Sequence, residues 1–470
     1  MTPARVAVVG GGISGLAAAY RLRRLLGDAA AITVFEQGSR LGGKLRTVEL
    51  AGRPFDVGAE AFLARRPEAV ALATELGLAG QLTHPTAARA TMRAGGRTSA
   101  LPPRTLMGVP ADPGAVADVL SEEGARAVAA EPGLPRPALP DGDVALGALL
   151  RERFGDELVD RLVDPLLGGV YAGGADGLGL RATLPGLAAA VDSGAGSLTA
   201  AAAAQLPGTP AREPVFATLT GGLGSLVDAL DKHAAADVRL GTTVRALDRV
   251  PGGGWRLTAG AAAPGHAPAE AETEADAVVL AVPAPAAARL LGGVAPGAAA
   301  ALAEMELASM AVVALALPPG TALPDASGVL IAAGERHRDG TPFTAKAFTF
   351  SARKWAHVAP DGAPPLIRGS VGRFGETAPL RATDDELVRL VRADLAELTG
   401  VSAEPVATLV TRWGGGLPQY APGHAERVAR AERAVAAVPG LAIAGAALHG
   451  VGIPACIATA DAAARRVVGR

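Results

Sequence analysis

The chain has 470 residues, of which 49% are apolar, and a formal net charge of −2. That length predicts two or three lobes with sizeable cores. The near-zero charge excludes a general attraction for nucleic acid or anionic membrane. The single cysteine, Cys456, excludes an intramolecular disulfide and suits a reducing, cytoplasmic compartment.

The first apolar run, Arg5–Val9, reads as a buried parallel strand, so no signal peptide is expected ahead of it. Gly10-Gly11-Gly12-Ile13-Ser14-Gly15 follows at once and fits G-x-G-x-x-G. A helix over residues 16–26, a second strand over Ala31–Phe35 and an acid, Glu36, complete a βαβ unit. Gly10 permits the tight turn, Gly12 lets a pyrophosphate approach, and Gly15 lets the helix pack closely on the strands. The helix N-terminus offers unpaired N–H groups to phosphate, and Glu36 can accept from a ribose. An isolated glycine turn would lack the strands and the acid at this spacing.

Gln37-Gly38-Ser39-Arg40-Leu41-Gly42-Gly43-Lys44 comes next. The glycine pair Gly42-Gly43 and two cations after the ribose acid resemble the second glycine motif of FAD-binding oxidases of the amine-oxidase superfamily. Asp56-Val57-Gly58-Ala59-Glu60 follows, where such enzymes bring backbone close to the flavin. No second fingerprint follows a strand elsewhere, so a separate nicotinamide domain is not expected.

Residues 67–78 read as a helix ended near Gly77, and residues 98–103 as a loop or short extended piece. Helical patterns broken by Pro/Gly loops fill roughly 105–209. Among them is a helix over 144–154 with Asp141 or Asp143 as N-cap, and an Ala-rich surface helix over 199–205. Extended patterns return at 215–219, 238–240, 243–247, 255–257 and 277–282, with a helix over 224–234. Strands over 310–317, 343–350 and 366–374 and an amphipathic helix over 384–398 follow. A last strand over 441–445, a glycine loop and a helix over 457–468 close the chain. The architecture is α/β: a discontinuous Rossmann-like nucleotide domain (1–85, 210–292, 428–470), an inserted helical lobe (86–209) and an α+β substrate lobe (293–427).

The seven histidines are scattered without metal-ligand spacing, and no nucleophile motif appears. No side chain stands out as a general base, so the chemistry is expected in a cofactor. Cys456 lies in an apolar context and reads as a small buried residue rather than a nucleophile.

Later motifs narrow the resemblance. Gly450-Val451-Gly452-Ile453-Pro454-Ala455-Cys456-Ile457 is similar to the bacterial protoporphyrinogen/coproporphyrinogen oxidases of haem synthesis. Residues 165–173, Phe350-Ser351-Ala352-Arg353-Lys354-Trp355, and Arg412-Trp413 with Leu417-Pro418-Gln419-Tyr420 and Gly423-His424 agree with that family. The resemblance implies FAD as cofactor. It implies a six-electron oxidation of coproporphyrinogen III to coproporphyrin III in three rounds. In each, a hydride leaves a meso carbon for flavin N5, and O2 takes the electrons as H2O2. Protoporphyrinogen IX is the alternative substrate. An amine or carotenoid oxidase of the same fold, or a non-catalytic flavin or porphyrin carrier, are the remaining alternatives. Transient contact with ferrochelatase and weak or no membrane contact are further expectations.

Carried over by residue, the resemblance places FAD against Gly10 to Gly15, Glu36, Gln37, Arg40, Gly43, Lys44, Gly58, Ala59, Glu60 and Ala61. Val244 would meet the adenine from a mid-chain strand. Trp413, Gly445, Val451, Gly452 and Ile453 would border the flavin. Substrate carboxylates call for cations, with Arg66 first, then Arg65, Arg353 and Lys354. His449 stands where relatives carry an aromatic, and Ala59 where they carry a proline.

Overall fold

The computed structural model describes residues 4–206, 214–261 and 271–469. His266 and the expected lobe boundary at 209/210 lie outside the described residues. Strand Arg5–Val9 is the centre of a five-stranded parallel sheet. Its neighbours are Ala31–Phe35 on one side and Ala277–Leu280 on the other. Asp237–Arg239 and Leu441–Ile443 are the edges. Val6, Ala7, Val8 and Val9 are all buried because helices or other strands cover both faces, as in any parallel sheet of this kind. Helix Ile13–Leu26 and the closing helix Ile453–Val468 pack on one face with Leu16, Leu22, Ile457 and Ala460. The other face carries Phe35, Trp255, Leu280 and Leu441. The strand order reverses beside Arg5–Val9, which puts a crevice at the carboxyl ends of the central strands.

A separate apolar cluster, around Leu146, Leu150, Phe154, Leu162 and Leu187, forms the helical lobe. Buried Glu131 organises it. Its carboxylate accepts from the backbone N–H groups of Leu198 (2.7 Å) and Thr199 (3.1 Å) and from Arg153 (2.7 Å). A carboxylate at a helix N-terminus is stabilised by the unpaired amides and the dipole there. The third body is a seven-stranded sheet that includes Leu307–Ala316, Ala345–Thr349, Leu366–Val371 and Ala407–Pro418. Helix Asp384–Thr399 covers one face with Leu387, Val391 and Leu395.

Four expectations change. Strands Ala90–Ala94 and Arg97–Ala100, assigned to the helical lobe, are the edge hairpin of the seven-stranded sheet. Helix Leu198–Gln205 is not a surface helix: Leu198, Ala201 and Ala202 are fully buried, because small alanines let neighbours approach closely. Neither Asp141 nor Asp143 caps helix Leu146–Phe154, whose N-cap is Ala145. Asp143 instead accepts from the N–H groups of Arg181 (2.9 Å) and Gly423 (3.2 Å), tying loops together. The closing helix begins at Ile453, a turn earlier than predicted, since Pro454 is tolerated in a first turn.

Candidate active site

The two glycine turns face each other. Gly10 has φ +108°, and a Cβ there would stand 2.4 Å from Ala281 O. A Cβ on Gly15 would stand 1.8 Å from Gly10 O, so the helix sits too close to the turn for any side chain. Gly12 is the opposite case: its Cβ would meet nothing nearer than Gly43 Cα at 3.9 Å. Its open face is the room a pyrophosphate needs, with the amides of Ile13, Ser14 and Gly15 unpaired by the helix. Gly42 N donates to Gly11 O (2.8 Å) and locks the second turn to the first. Glu36 accepts from Gly11 N (2.8 Å) and Gly38 N (2.6 Å). A carboxylate has about four acceptor positions, so two remain for a ribose diol. Gln37, next in the chain, is exposed.

Lys44 is half-buried beside Cys456, and burial lowers its pKa. Burial raises that of the Cys456 thiol. Among the described residues no carboxylate pairs with Lys44, which leaves a cation for a phosphate at the glycine turns. Arg40 does something else. Its guanidinium donates to the carbonyls of Gly43 (2.7 Å) and Leu41 (2.9 Å) and lies 5.8 Å from the Trp413 ring centroid, bracing the turn.

The loop at Gly58 is pinned from three sides. A Cβ on Gly58 would stand 2.0 Å from Lys44 O and 3.0 Å from Trp413 Cζ2. Trp413 Nε1 donates to Val57 O (3.0 Å), and Arg368 donates to Gly58 O (2.8 Å). Glu60 is the centre of a buried ionic cluster, 2.5 Å from Lys354 Nζ and 3.2 Å from Arg368 Nη2. Burial opposes its ionisation, but the two cations prevail and draw its pKa down to about 2. Glu60 and Lys354, expected at cofactor and substrate respectively, are therefore committed to each other. Asp56, below the same loop, accepts from Thr47 Oγ1 (2.5 Å) and Leu223 N (3.1 Å), yet burial pushes its pKa up to about 6. Ala59 and Ala61 are half-buried against neighbouring apolar clusters.

The loop before the closing helix supplies the other wall. Gly445 N donates to Thr459 Oγ1 (3.1 Å), and Ser14 Oγ is 3.9 Å from where its Cβ would be. Gly452 is the exposed N-cap of the closing helix, with no side chain occupying the helix N-terminus. Ile453 is buried in the nucleotide-lobe core, and Val451 packs on the helical lobe. Tyr420 fixes this loop: its hydroxyl donates to Ala446 O (2.7 Å) and accepts from Gly450 N (2.8 Å). His424 stacks on the Tyr420 ring at 3.7 Å, with Nε2 3.1 Å from Leu448 O. Burial lowers its pKa to about 4, so it is neutral at pH 7. The Gln-Tyr and Gly-His motifs are thus loop supports. Val244 is buried with Val9 and Phe35, on a strand whose first amide, Thr242 N, donates to Glu36 O (2.9 Å).

The remaining expected cations are at the surface. Arg66 is exposed and pairs with Glu68 (2.7 Å), Arg65 is exposed, and Arg353 pairs with Asp325 (3.2 Å). His449 is exposed and meets Glu432 (2.7 Å) rather than the cofactor crevice. Sequence reasoning missed Arg368, although one arginine inside the otherwise neutral strand Leu366–Val371 is a signal for a buried partner. It also missed Lys346, only 5% exposed on strand Ala345–Thr349.

Comparison with known proteins shows the family and the fold. Residues 13–468 match the family described as flavin containing amine oxidoreductase. The chain is 44% identical over 468 residues to a coproporphyrinogen III oxidase of Mycobacterium tuberculosis, covering 100% of this chain and 98% of that protein. It is 45% identical to one of Mycobacterium leprae, covering 98% of each. A crystal structure from Exiguobacterium sp. 255-15, provisionally named a protoporphyrinogen oxidase, superposes with a TM-score of 0.85 at 32% identity, covering 100% of both chains.

Proposed function

The chain belongs to the flavin-containing amine oxidoreductase family with FAD as its cofactor, and from that premise we propose that it oxidises coproporphyrinogen III to coproporphyrin III in haem biosynthesis. The supporting observation is likeness at 44% identity to coproporphyrinogen III oxidases along the whole chain, the helical lobe and seven-stranded sheet included. Amine oxidases share the fold along the whole chain but at 17–18% identity, so sequence identity rather than fold carries the reading.

Bound FAD supplies the electron acceptor for each two-electron step. The chain's own part is to hold it. Gly12 and the helix amides receive the pyrophosphate with Lys44, Glu36 receives the ribose, and the Gly58 and Gly450–Ile453 loops border the ring. O2 is the final acceptor and H2O2 the product in this reading, at three peroxides per porphyrin. The work takes place in the cytoplasm, with transient contact to a ferrochelatase. No helix among the described residues is long and apolar enough to cross a membrane.

An aerobic assay of both porphyrinogens side by side tests the proposal. The expected result is fluorescent porphyrin with matching peroxide, and a higher kcat/KM for coproporphyrinogen III. Strict dependence on NAD(P)+ without oxygen uptake, or preference for protoporphyrinogen IX, would contradict it.

A further inference from the structure

A buried lysine and a half-buried arginine lie near each other between the helical lobe and the seven-stranded sheet, away from the Glu60 cluster. Lys346 is 5% exposed. Its ammonium has one protein acceptor among the described residues, Gly168 O at 3.0 Å, near the C-terminal end of helix Asp164–Tyr171. That carbonyl already accepts from Ala172 N (3.2 Å), and an ammonium has two further donors. Arg373 donates to Ile331 O (2.9 Å), and its nearest carboxylate, Glu376, is 3.8 Å away with its side chain 57% exposed. Burial lowers both pKa values, that of Lys346 to about 7, and Arg373 adds repulsion. Uncompensated buried cations are costly and are ordinarily paired.

The apolar surroundings indicate what pairs with them. Val170, on the helix that supplies Gly168 O, is 40% exposed, and Phe374, next to Arg373, is 37% exposed. Phe374 N donates to Ala172 O (2.6 Å), so the segments that carry the two exposed apolar residues meet at one junction. Gln419 Nε2 donates to Tyr171 O (2.8 Å) and joins that junction to the strand that carries Trp413. At about 3.3 Å per residue, Trp413 and Gln419 are roughly 20 Å apart along the chain. The strand carrying Lys346 is held from its other face by Asp394, which accepts from Ala345 N (2.7 Å).

We propose that Lys346 and Arg373 receive a propionate arm of the porphyrinogen, with Val170 and Phe374 against the macrocycle. This rests on the functional reading above and names residues for it. A charge-assisted bond to a carboxylate satisfies donors that the protein leaves open. A propionate arm does not react, so the pair binds a part of the substrate held alike before and during reaction and acts on KM and not kcat.

The test is a fluorescence titration of the FAD-loaded protein with coproporphyrin III, the stable oxidised macrocycle, for wild type, Lys346→Met and Lys346→Arg. Lys346→Met should bind about tenfold more weakly, equivalent to 1.4 kcal/mol. Lys346→Arg should stay within about threefold, and flavin content should not change. Equal binding by Lys346→Met with lowered thermal stability would overturn the proposal and make Lys346 a cap for helix Asp164–Tyr171. Should Lys346→Met fail to fold, Arg373→Met carries the same tenfold expectation. Weakened coproporphyrin III binding in a protein whose wild type turns over no porphyrinogen would uphold this site and refute the functional reading. Porphyrinogen turnover with unaltered variant binding would do the reverse.

Discussion

Glu60→Gln separates a structural role from a cofactor contact. The substitution keeps the shape and removes one charge between Lys354 and Arg368. In the native state those cations draw the Glu60 pKa from 4.5 to about 2, against the burial that opposes ionisation. The drop corresponds to about 3 kcal/mol of stability at neutral pH. Because the folded pKa is depressed, that stability is present above pH 4.5 and is lost as pH falls toward 2. The variant also leaves two half-buried cations short of a partner. Lys354, with its side chain 21% exposed, regains some water, so the expected loss is about 2–3 kcal/mol. Urea unfolding of the apoprotein and of the FAD-loaded protein should show the same loss in both, since the carboxylate's partners are Lys354 and Arg368. Wild type and variant should converge in stability only as pH falls to about 2. A loss confined to the FAD-loaded form, or an apoprotein within about 0.5 kcal/mol of wild type, would refute the reasoning.

Gly12→Val should fold yet purify colourless, because its Cβ meets only Gly43 Cα at 3.9 Å and fills the pyrophosphate's place. Gly15→Ala should instead cost the apoprotein about 1–3 kcal/mol, by denaturant titration, because its Cβ falls 1.8 Å from Gly10 O. Tyr420→Phe leaves Ala446 O and Gly450 N unpaired and should cost about 2 kcal/mol, with several-fold weaker flavin retention by ultrafiltration. Asp56 ionises at about 6 when folded and 3.8 otherwise, so its contribution is full below pH 3.8 and is lost as pH rises through 6. Asp56→Asn should flatten that part of the stability profile, by about 3 kcal/mol between pH 4 and 7 in chemical denaturation; an unchanged slope would refute the assignment.

The nucleotide lobe was legible because its constraints are local. Gly10, Gly12, Gly15 and Glu36 lie within one βαβ unit, and each answers to a backbone approach that spacing reveals. The supports of the site are not local. Arg368 reaches the carbonyl of Gly58, 310 positions earlier, and Lys354 reaches Glu60 across 294. A lone cation in a strand signals a buried partner without disclosing which residue that partner is. Arg66, which follows the Gly58 loop in sequence, lies exposed in a pair with Glu68, whereas the burial of Lys346 within strand Ala345–Thr349 is not written in its neighbours. The hairpin of Ala90–Ala94 and Arg97–Ala100 was missed because its polar, edge-like residues carry little alternation. Alanine misled over Leu198–Gln205: its small side chain fits surface and tight core alike.

The most direct test of the central claim is anaerobic mixing of the FAD-loaded protein with coproporphyrinogen III, following flavin absorbance. The account predicts bleaching of the yellow oxidised flavin, coupled to oxidation of the substrate, and recovery of the colour with peroxide when oxygen is admitted. Flavin that stays yellow in the presence of bound substrate would contradict it and leave a carrier rather than an oxidase.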